Sequence, residues 1–487
     1  MLLNTVFEKI LAFLSPQEER YKTKTPVRGG TLFLLACLFT YSFVFKVYPI
    51  GSAFWWAGDQ IRDWTIAQRG LFHLPLHGTV RVDGYYSLGP VFYWILSLIN
   101  ILLGPFFDHL PHTAGYGIAF LVSLGEAALA YALLTVGLPR FTVFAFVLLL
   151  ASAPFASALA GTIWNPPVSV AFTMLALAAC LIPTPNFSLR RLVGVIILGL
   201  FAIQAHTPTL FMVTGIWIFA VLRCRHSQEF SWVRLAKTSL ISTFIVELPY
   251  LMHVWRHGSR DWATGPTVFS KTASGVLTTE SFSSFVPNLK QLFWILNDLF
   301  TFESNIAFLL TLLALSALLM IFSSKYRAEL FWLASLPIFL ATSALTFSNS
   351  HADSYWFISL GAAFILALLF LGDSLLKRWR PVWGELLGIA LLLSVITLQT
   401  HRWRMRNNNT VMRTYGVMVA GARTLKAKQS SLSKVVGPPK QEQSCAQCLY
   451  VLLGGVIDPT SSLVGQIEAD GSVSIQIQNE DKQKANY

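Results

Sequence analysis

Between residues 31 and 398 the chain alternates long apolar runs with short polar turns. The runs approach the roughly twenty residues that a helix needs to cross the hydrocarbon core of a bilayer. They lack the strict alternation of a membrane β-strand, so each predicted span is a helix, which satisfies its own backbone hydrogen bonds in lipid. The pattern predicts about eleven spans, at residues 31–48, 114–136, 141–160, 168–182, 192–205, 208–222, 238–252, 306–322, 330–346, 355–371 and 382–398. The expected fold class is an all-α polytopic membrane protein.

A further apolar stretch, 91–107, either crosses the membrane or lies along it. Basic residues decide the matter. If the stretch stays on the outer face, Arg140, Arg190-Arg191, Arg223, Arg225, Arg234, Lys237, Lys325, Arg327, Lys377, Arg378 and Arg380 all fall on the cytoplasmic side, as the positive-inside rule requires. It is therefore read as a juxtamembrane helix of the first outer loop, bounded by Pro90, Gly104 and Pro105.

Three segments follow. Residues 1–30 carry an amphipathic set (Leu2, Leu3, Val6, Phe7, Ile10, Leu11, Leu14) with Lys22, Lys24 and Arg28 and no small-residue cleavage site, which predicts a cytoplasmic interfacial segment rather than a signal peptide. Residues 31–400 form the transmembrane domain, in which Lys46 is expected to snorkel to the surface. Residues 401–487 lose the apolar runs and form an extracytoplasmic segment. Within it 450–453 and 472–477 read as short strands of a small α/β module, and an outside location would permit a disulfide between Cys445 and Cys448. The five arginines from Arg402 to Arg423 would there meet outer-leaflet phosphates.

Composition supports this picture: 54% of residues are hydrophobic and 12% charged. The formal charge of +12 is distributed between apolar runs, where it orients the protein and meets lipid headgroups, so no nucleic-acid partner is expected. The single CxxC has no second pair for a four-ligand zinc site. His73, His77, His109 and His112 lack HExxH-like spacing, so neither a metal site nor a required cofactor is expected, although a divalent cation is left open.

Against this apolar background, residues 58–94 stand out. They hold Asp59, Asp63 and Asp83 together with Arg62, Arg69 and Arg81. Asp59 and Asp63 are four apart, so a helix would place them on one face with Arg62 beside them; the acids then repel unless a cation or substrate lies between. The spacing fits an acid/base site and fits equally a solvated surface loop. Trp55, Trp56, Trp64, Tyr85, Tyr86, Tyr93 and Trp94 surround the acids and read mostly as an interfacial aromatic belt. Glu126 and Glu247 fall within spans, where they hold helices together or line a cavity.

Gly58-Asp59-Gln60-Ile61-Arg62-Asp63 after the first span, and Leu88-Gly89-Pro90-Val91-Phe92-Tyr93-Trp94 beyond it, resemble the GT-C glycosyltransferases over roughly residues 30–400. The branch most similar is that of the protein mannosyltransferases and aminoarabinose transferases, which take sugars from polyprenyl-phosphate carriers. The resemblance implies a polyprenyl-phosphate-linked sugar donor, a glycan, lipid or protein acceptor, contact with membrane lipids, and an active site on the extracytoplasmic side of a bacterial-type inner or plasma membrane. It implies Asp59 as general base, deprotonating the acceptor for an inverting displacement. The lipid phosphate leaves as a stable anion, so cationic partners matter more than a general acid; Arg62, Arg81, Arg256 and Arg260 are the candidates.

Asp63 would orient Arg62 or the acceptor, with Asp83 and Tyr86 as further substrate contacts. Tyr86-Ser87-Leu88-Gly89-Pro90 departs from the Glu-Lys-Pro-Pro-like stretch common in such relatives, and Asn165 stands where they often carry a second acid. An amide there can donate to sugar hydroxyls; the alternative is an interfacial turn, Trp164-Asn165-Pro166-Pro167. His206 would bind a sugar hydroxyl or the carrier phosphate, or serve as a capped helix end. Competing readings of the chain are a polytopic transporter or lipid flippase, and a non-catalytic envelope scaffold.

Overall fold

A computed structural model of the chain describes, apart from isolated positions, residues 29–48, 54–56, 58–79, 89–151, 160–184, 186–225, 230–257, 326–348, 359–376, 410–429, 431–437 and 443–477. The apolar runs form helices: α1 (Gly29–Val47), α4 (His112–Thr135), α5 (Arg140–Ala151), α6 (Asn165–Leu181), α7 (Leu189–Ala205), α8 (Leu210–Cys224), α9 (Trp232–His257), α10 (Leu336–Ser348) and α11 (Leu360–Leu376). Two helices of the first loop, α2 (Gly58–Ala67) and α3 (Val91–Leu103), stand between α1 and α4. By length and composition four helices can cross a membrane: Gly29–Val47, His112–Thr135, Thr207–Cys224 and Trp232–His257. Residues 306–322 and most of 382–398 lie outside the described residues, so the count of eleven spans stays an expectation.

Local chemistry explains the boundaries. Pro166 and Pro167 occupy the first turn of α6, where a missing N–H leaves no bond unmade. Ser188 caps α7, its hydroxyl accepting from the Arg191 amide. α4 packs against both α1 and α6. Gly125 permits the second contact, since a Cβ there would lie 2.9 Å from the Ala171 carbonyl oxygen.

α3, the stretch read as juxtamembrane, has 13 residues and spans about 20 Å at 1.5 Å per residue. It buries Val91, Phe92, Tyr93, Leu96 and Asn100 and exposes Trp94, Leu98, Ile101 and Leu102. That is one apolar stripe turned outward and a mixed face turned in.

Two expectations are corrected. Lys46 does not snorkel: its Nζ lies 2.8 Å from Glu126 Oε2 with both side chains buried, and Ser42 hydrogen-bonds both. A carboxylate in the neighbouring helix offers the ammonium a closer partner than the surface does. Residues 450–453 are not a strand either, because Tyr450 to Leu452 close a helix, α13 (Gln443–Leu452). Cys445, Ala446, Leu449 and Tyr450 are its buried positions, a 3.6-residue period that a four-residue apolar window hides.

The C-terminal segment is an α/β module, as expected, but a fuller one. It comprises α12 (Thr410–Lys428), β1 (Ser431–Leu432), β2 (Lys434–Val436), α13, β3 (Val456–Ile457), β4 (Leu463–Ile467) and β5 (Val473–Ile477). β2 pairs in parallel with β4 through the α13 crossover, and β5 adds antiparallel, pairing Val464 with Gln476. Cys445 and Cys448 both lie within α13 and are not joined by a disulfide.

The Lys46–Glu126 pair yields a stability prediction. Glu126→Ala strands a buried ammonium and should cost about 3–5 kcal/mol in a thermal melt in lipid nanodiscs, whereas Lys46→Met combined with Glu126→Leu should recover that loss. A single-variant cost below about 1 kcal/mol would mean that the pair behaves as a solvated one.

Candidate active site

The acidic stretch of the first loop does form a helix, and the cation between its two acids is Arg62. In α2, Arg62 Nη1 lies 3.0 Å from Asp59 Oδ1 and Nε donates to Asp63 Oδ1 at 2.9 Å. The two carboxylates differ sharply: the Asp59 side chain is 73% exposed and that of Asp63 5%. Asp59 sits in the first turn of α2, where the helix dipole favours an anion.

Asp63 is fixed from a second side by Tyr93 of α3, whose hydroxyl donates to Asp63 Oδ1 at 3.0 Å. Burial pushes the Asp63 carboxyl above the usual aspartate range, while the hydrogen bond and charge of Arg62 pull it back. Burial, then the Asp63 charge, raise the Tyr93 phenol and keep it a donor. Beneath them Trp64 is wholly buried and donates to the His109 carbonyl at 3.0 Å, with Gln68 reaching the same oxygen at 3.1 Å. α2 is thereby seated on the turn that precedes α4.

The start of α3 is held from another direction. Gly89 has φ +60°, and a Cβ there would collide with the Gln204 amide, so only glycine allows this approach. Gln204 Nε2 donates to the Val246 carbonyl of α9 at 2.8 Å, and its side chain also hydrogen-bonds Glu247. Asn165 Nδ2 donates to the Ala205 carbonyl at 2.7 Å. Its amide thus ties α6 to the end of α7, which assigns the residue a structural bond. His206 follows directly as the buried C-cap of α7. Asn165, Gln204 and His206 are therefore grouped at one end of the helices, next to the α3 start. Arg256 is exposed in the last turn of α9. Arg81, Asp83, Tyr86 and Arg260 lie outside the described residues.

Two features escaped the sequence reading. Tyr93, counted there with the aromatic belt, is the hydrogen-bond partner of Asp63. On α9, Glu247, Tyr250, His253 and His257 recur at intervals of three or four, one face of a helix whose other positions are mostly apolar. The His253 ring meets His77 of the first loop at 4.6 Å between centroids and His257 at 4.8 Å. The spacing was legible; the contact with His77 was not. Among the described residues, no group of three metal-ligating side chains is placed to hold an ion.

No family model and no curated protein matches this sequence. Among solved structures, that of ArnT from Cupriavidus metallidurans bound to undecaprenyl phosphate is similar at a TM-score of 0.54 and 12% identity, covering 87% of this chain and 85% of that one. ArnT from the same organism in the apo state gives 0.46 at 13% identity, over 87% and 84%. The first likeness shows the fold alone, that of the ArnT structure. The chain is an integral membrane protein of that fold.

The Asp63 environment predicts a pH dependence. A carboxyl raised by burial binds its proton more tightly folded than unfolded, so its contribution to stability is lost as pH rises above the ordinary aspartate value of about 4. Arg62→Ala removes the group opposing that shift and extends the window upward. The melting temperature of the variant should then fall more steeply with pH above 4 than that of the wild type, by about 1 °C or more per pH unit. Parallel slopes would show that Arg62 does not tune Asp63.

Proposed function

We propose that the chain is a membrane glycosyltransferase that moves a sugar from a polyprenyl-phosphate carrier to an acceptor at the extracytoplasmic face, with Asp59 as general base. The observation that carries this reading is the Asp59–Arg62–Asp63 constellation on the first loop of a GT-C fold. One carboxylate is open to a substrate, and its arginine is locked from behind by the other.

The chemistry runs as follows. The acceptor oxygen gives its proton to the Asp59 carboxylate and attacks the anomeric carbon; the bond to the carrier phosphate breaks, and its electron pair leaves with the phosphate. Asp59 suits the role because its oxygens are accessible. Arg62 is oriented by Asp63 and offers a planar fork to anionic oxygen, and Arg256, exposed at the end of α9, can serve the leaving phosphate. Arg81, Arg260, Asp83 and Tyr86 complete the proposed contacts. His206, the C-cap of α7 two residues after Gln204, is a further proposed contact for a sugar hydroxyl or the carrier phosphate. The ArnT structure holds undecaprenyl phosphate, which supports a lipid-phosphate-linked donor for this fold. The positive-inside count supports the outer location.

A transporter would need its membrane-depth charges on a solute path. Here the Lys46–Glu126 pair is sealed between α1 and α4 and hydrogen-bonded to Ser42, which suits helix packing.

Asp59→Asn keeps the shape of the side chain and removes its proton affinity. Transfer from a polyprenyl-phosphate-linked sugar, followed by mass spectrometry of the acceptor, should fall at least about 100-fold while the protein stays folded and inserted. Unchanged transfer would sink the assignment.

A further inference from the structure

The C-terminal module is not a free appendage. Tyr415 of α12 is wholly buried; its hydroxyl lies 2.9 Å from His112 Nδ1 at the start of α4, and its ring packs on Phe54 at 5.2 Å between centroids. Arg423, two turns further along α12, pairs with Asp108 at 2.6 Å. From α13, Cys445 makes a reciprocal contact with Trp56: the indole donates to the Cys445 carbonyl at 3.4 Å and the thiol to the Trp56 carbonyl at 3.5 Å. Cys448 shares a hydrogen bond with Thr65 of α2, and burial pushes its thiol up to about 11, which keeps it protonated.

These contacts fall at defined places. Phe54 and Trp56 immediately precede α2; Thr65 is two residues after Asp63; Asp108 adjoins His109, the residue on which Trp64 and Gln68 hang. The module therefore grips α2 before its first turn, along its length, and through the turn that seats it. Arg62 and Tyr93 hold the helix at its middle and its buried face, and Trp55, between Phe54 and Trp56, meets Trp164 at 6.0 Å between ring centroids.

We propose that the C-terminal module is a positioning clamp for the catalytic helix: Tyr415 and Cys445 act through α2 to set the direction of Asp59 and Arg62 without touching substrate. This rests on the proposed glycosyltransferase activity for its catalytic consequence, though not for the clamp itself. Loss of the grip lets α2 open locally and lowers turnover, while the donor continues to bind through its phosphate and lipid chain. A module serving only solubility or partner binding would leave α2 indifferent to these side chains.

The test uses the full-length protein in lipid nanodiscs. Amide hydrogen exchange at residues 58–67 should accelerate about tenfold in Tyr415→Ala, less in Tyr415→Phe, which keeps the ring on Phe54, with β4 and β5 exchanging as in the wild type. Transfer assayed with a polyprenyl-phosphate-linked sugar should lose about tenfold or more in kcat, with KM for the donor changed less than about twofold. If Tyr415→Ala unfolds the module, Cys445→Ala, a conservative change within a helix, should give the same pattern at smaller amplitude. Unaltered exchange at 58–67 in a folded variant overturns the clamp, and so does a loss confined to KM. Should even the wild type transfer no sugar, the functional reading fails while the exchange measurement still decides whether the module holds α2.

Discussion

The site depends on the burial of one carboxylate. Asp63 is almost fully removed from solvent, and an ionised group in that position costs several kcal/mol unless its charge is matched and its oxygens are hydrogen-bonded. Arg62 supplies the charge from the same helix and Tyr93 a donor from the next one. Satisfying the carboxylate thus fixes the rotation of α2 and its distance from α3 together. It also commits the arginine: with Nε on Asp63, its outer nitrogen is left facing Asp59.

That local requirement reaches outward through packing. Tyr93 can meet Asp63 only if α3 begins where it does, one turn earlier at Pro90, and that start is defined by the contact of Gly89 with Gln204. Gln204 is in turn bonded to α9, and the neighbouring Ala205 carbonyl to Asn165 of α6. Trp64 seats the other side of α2 on the turn at His109, where Asp108 and His109 adopt positive φ, 52° and 55°. The α12 and α13 helices close the remaining side. A short polar helix, weakly stable alone at ten residues, is held by bonds to three other parts of the chain: α3, the turn at His109 and α13.

The long apolar periods were legible in the sequence because a twenty-residue signal averages over local ambiguity, and α1, α4, α6, α7, α8 and α9 fall where it places them. The helical spacing of Asp59, Arg62 and Asp63 was legible for the same reason. Partners distant in sequence were not. Lys46 reads as a snorkelling residue until Glu126, 80 positions later, is brought beside it. Tyr93 is indistinguishable from its belt neighbours until Asp63 is placed 30 positions earlier in the chain and 3.0 Å away. The amide of Asn165 advertises hydrogen bonds without naming an acceptor, and the Ala205 carbonyl, 40 positions later, takes one of them. The strand expected at 450–453 failed on length, since four apolar residues are equally the end of a helix.

Two aspartates four residues apart on one helix are the same residue type, and their surroundings make them opposites. Asp63 has lost its water and spends Oδ1 on two donors, which hold α2 and α3 together. Asp59 is 73% exposed and touches the guanidinium from one side only, so a change in its contacts leaves the Asp63–Tyr93 bond between α2 and α3 in place. Environment divides one residue type into a buried support and an open, solvent-facing carboxylate. Arg62 joins them through the geometry of its rigid fork, which meets the buried carboxylate with Nε and the open one with Nη1.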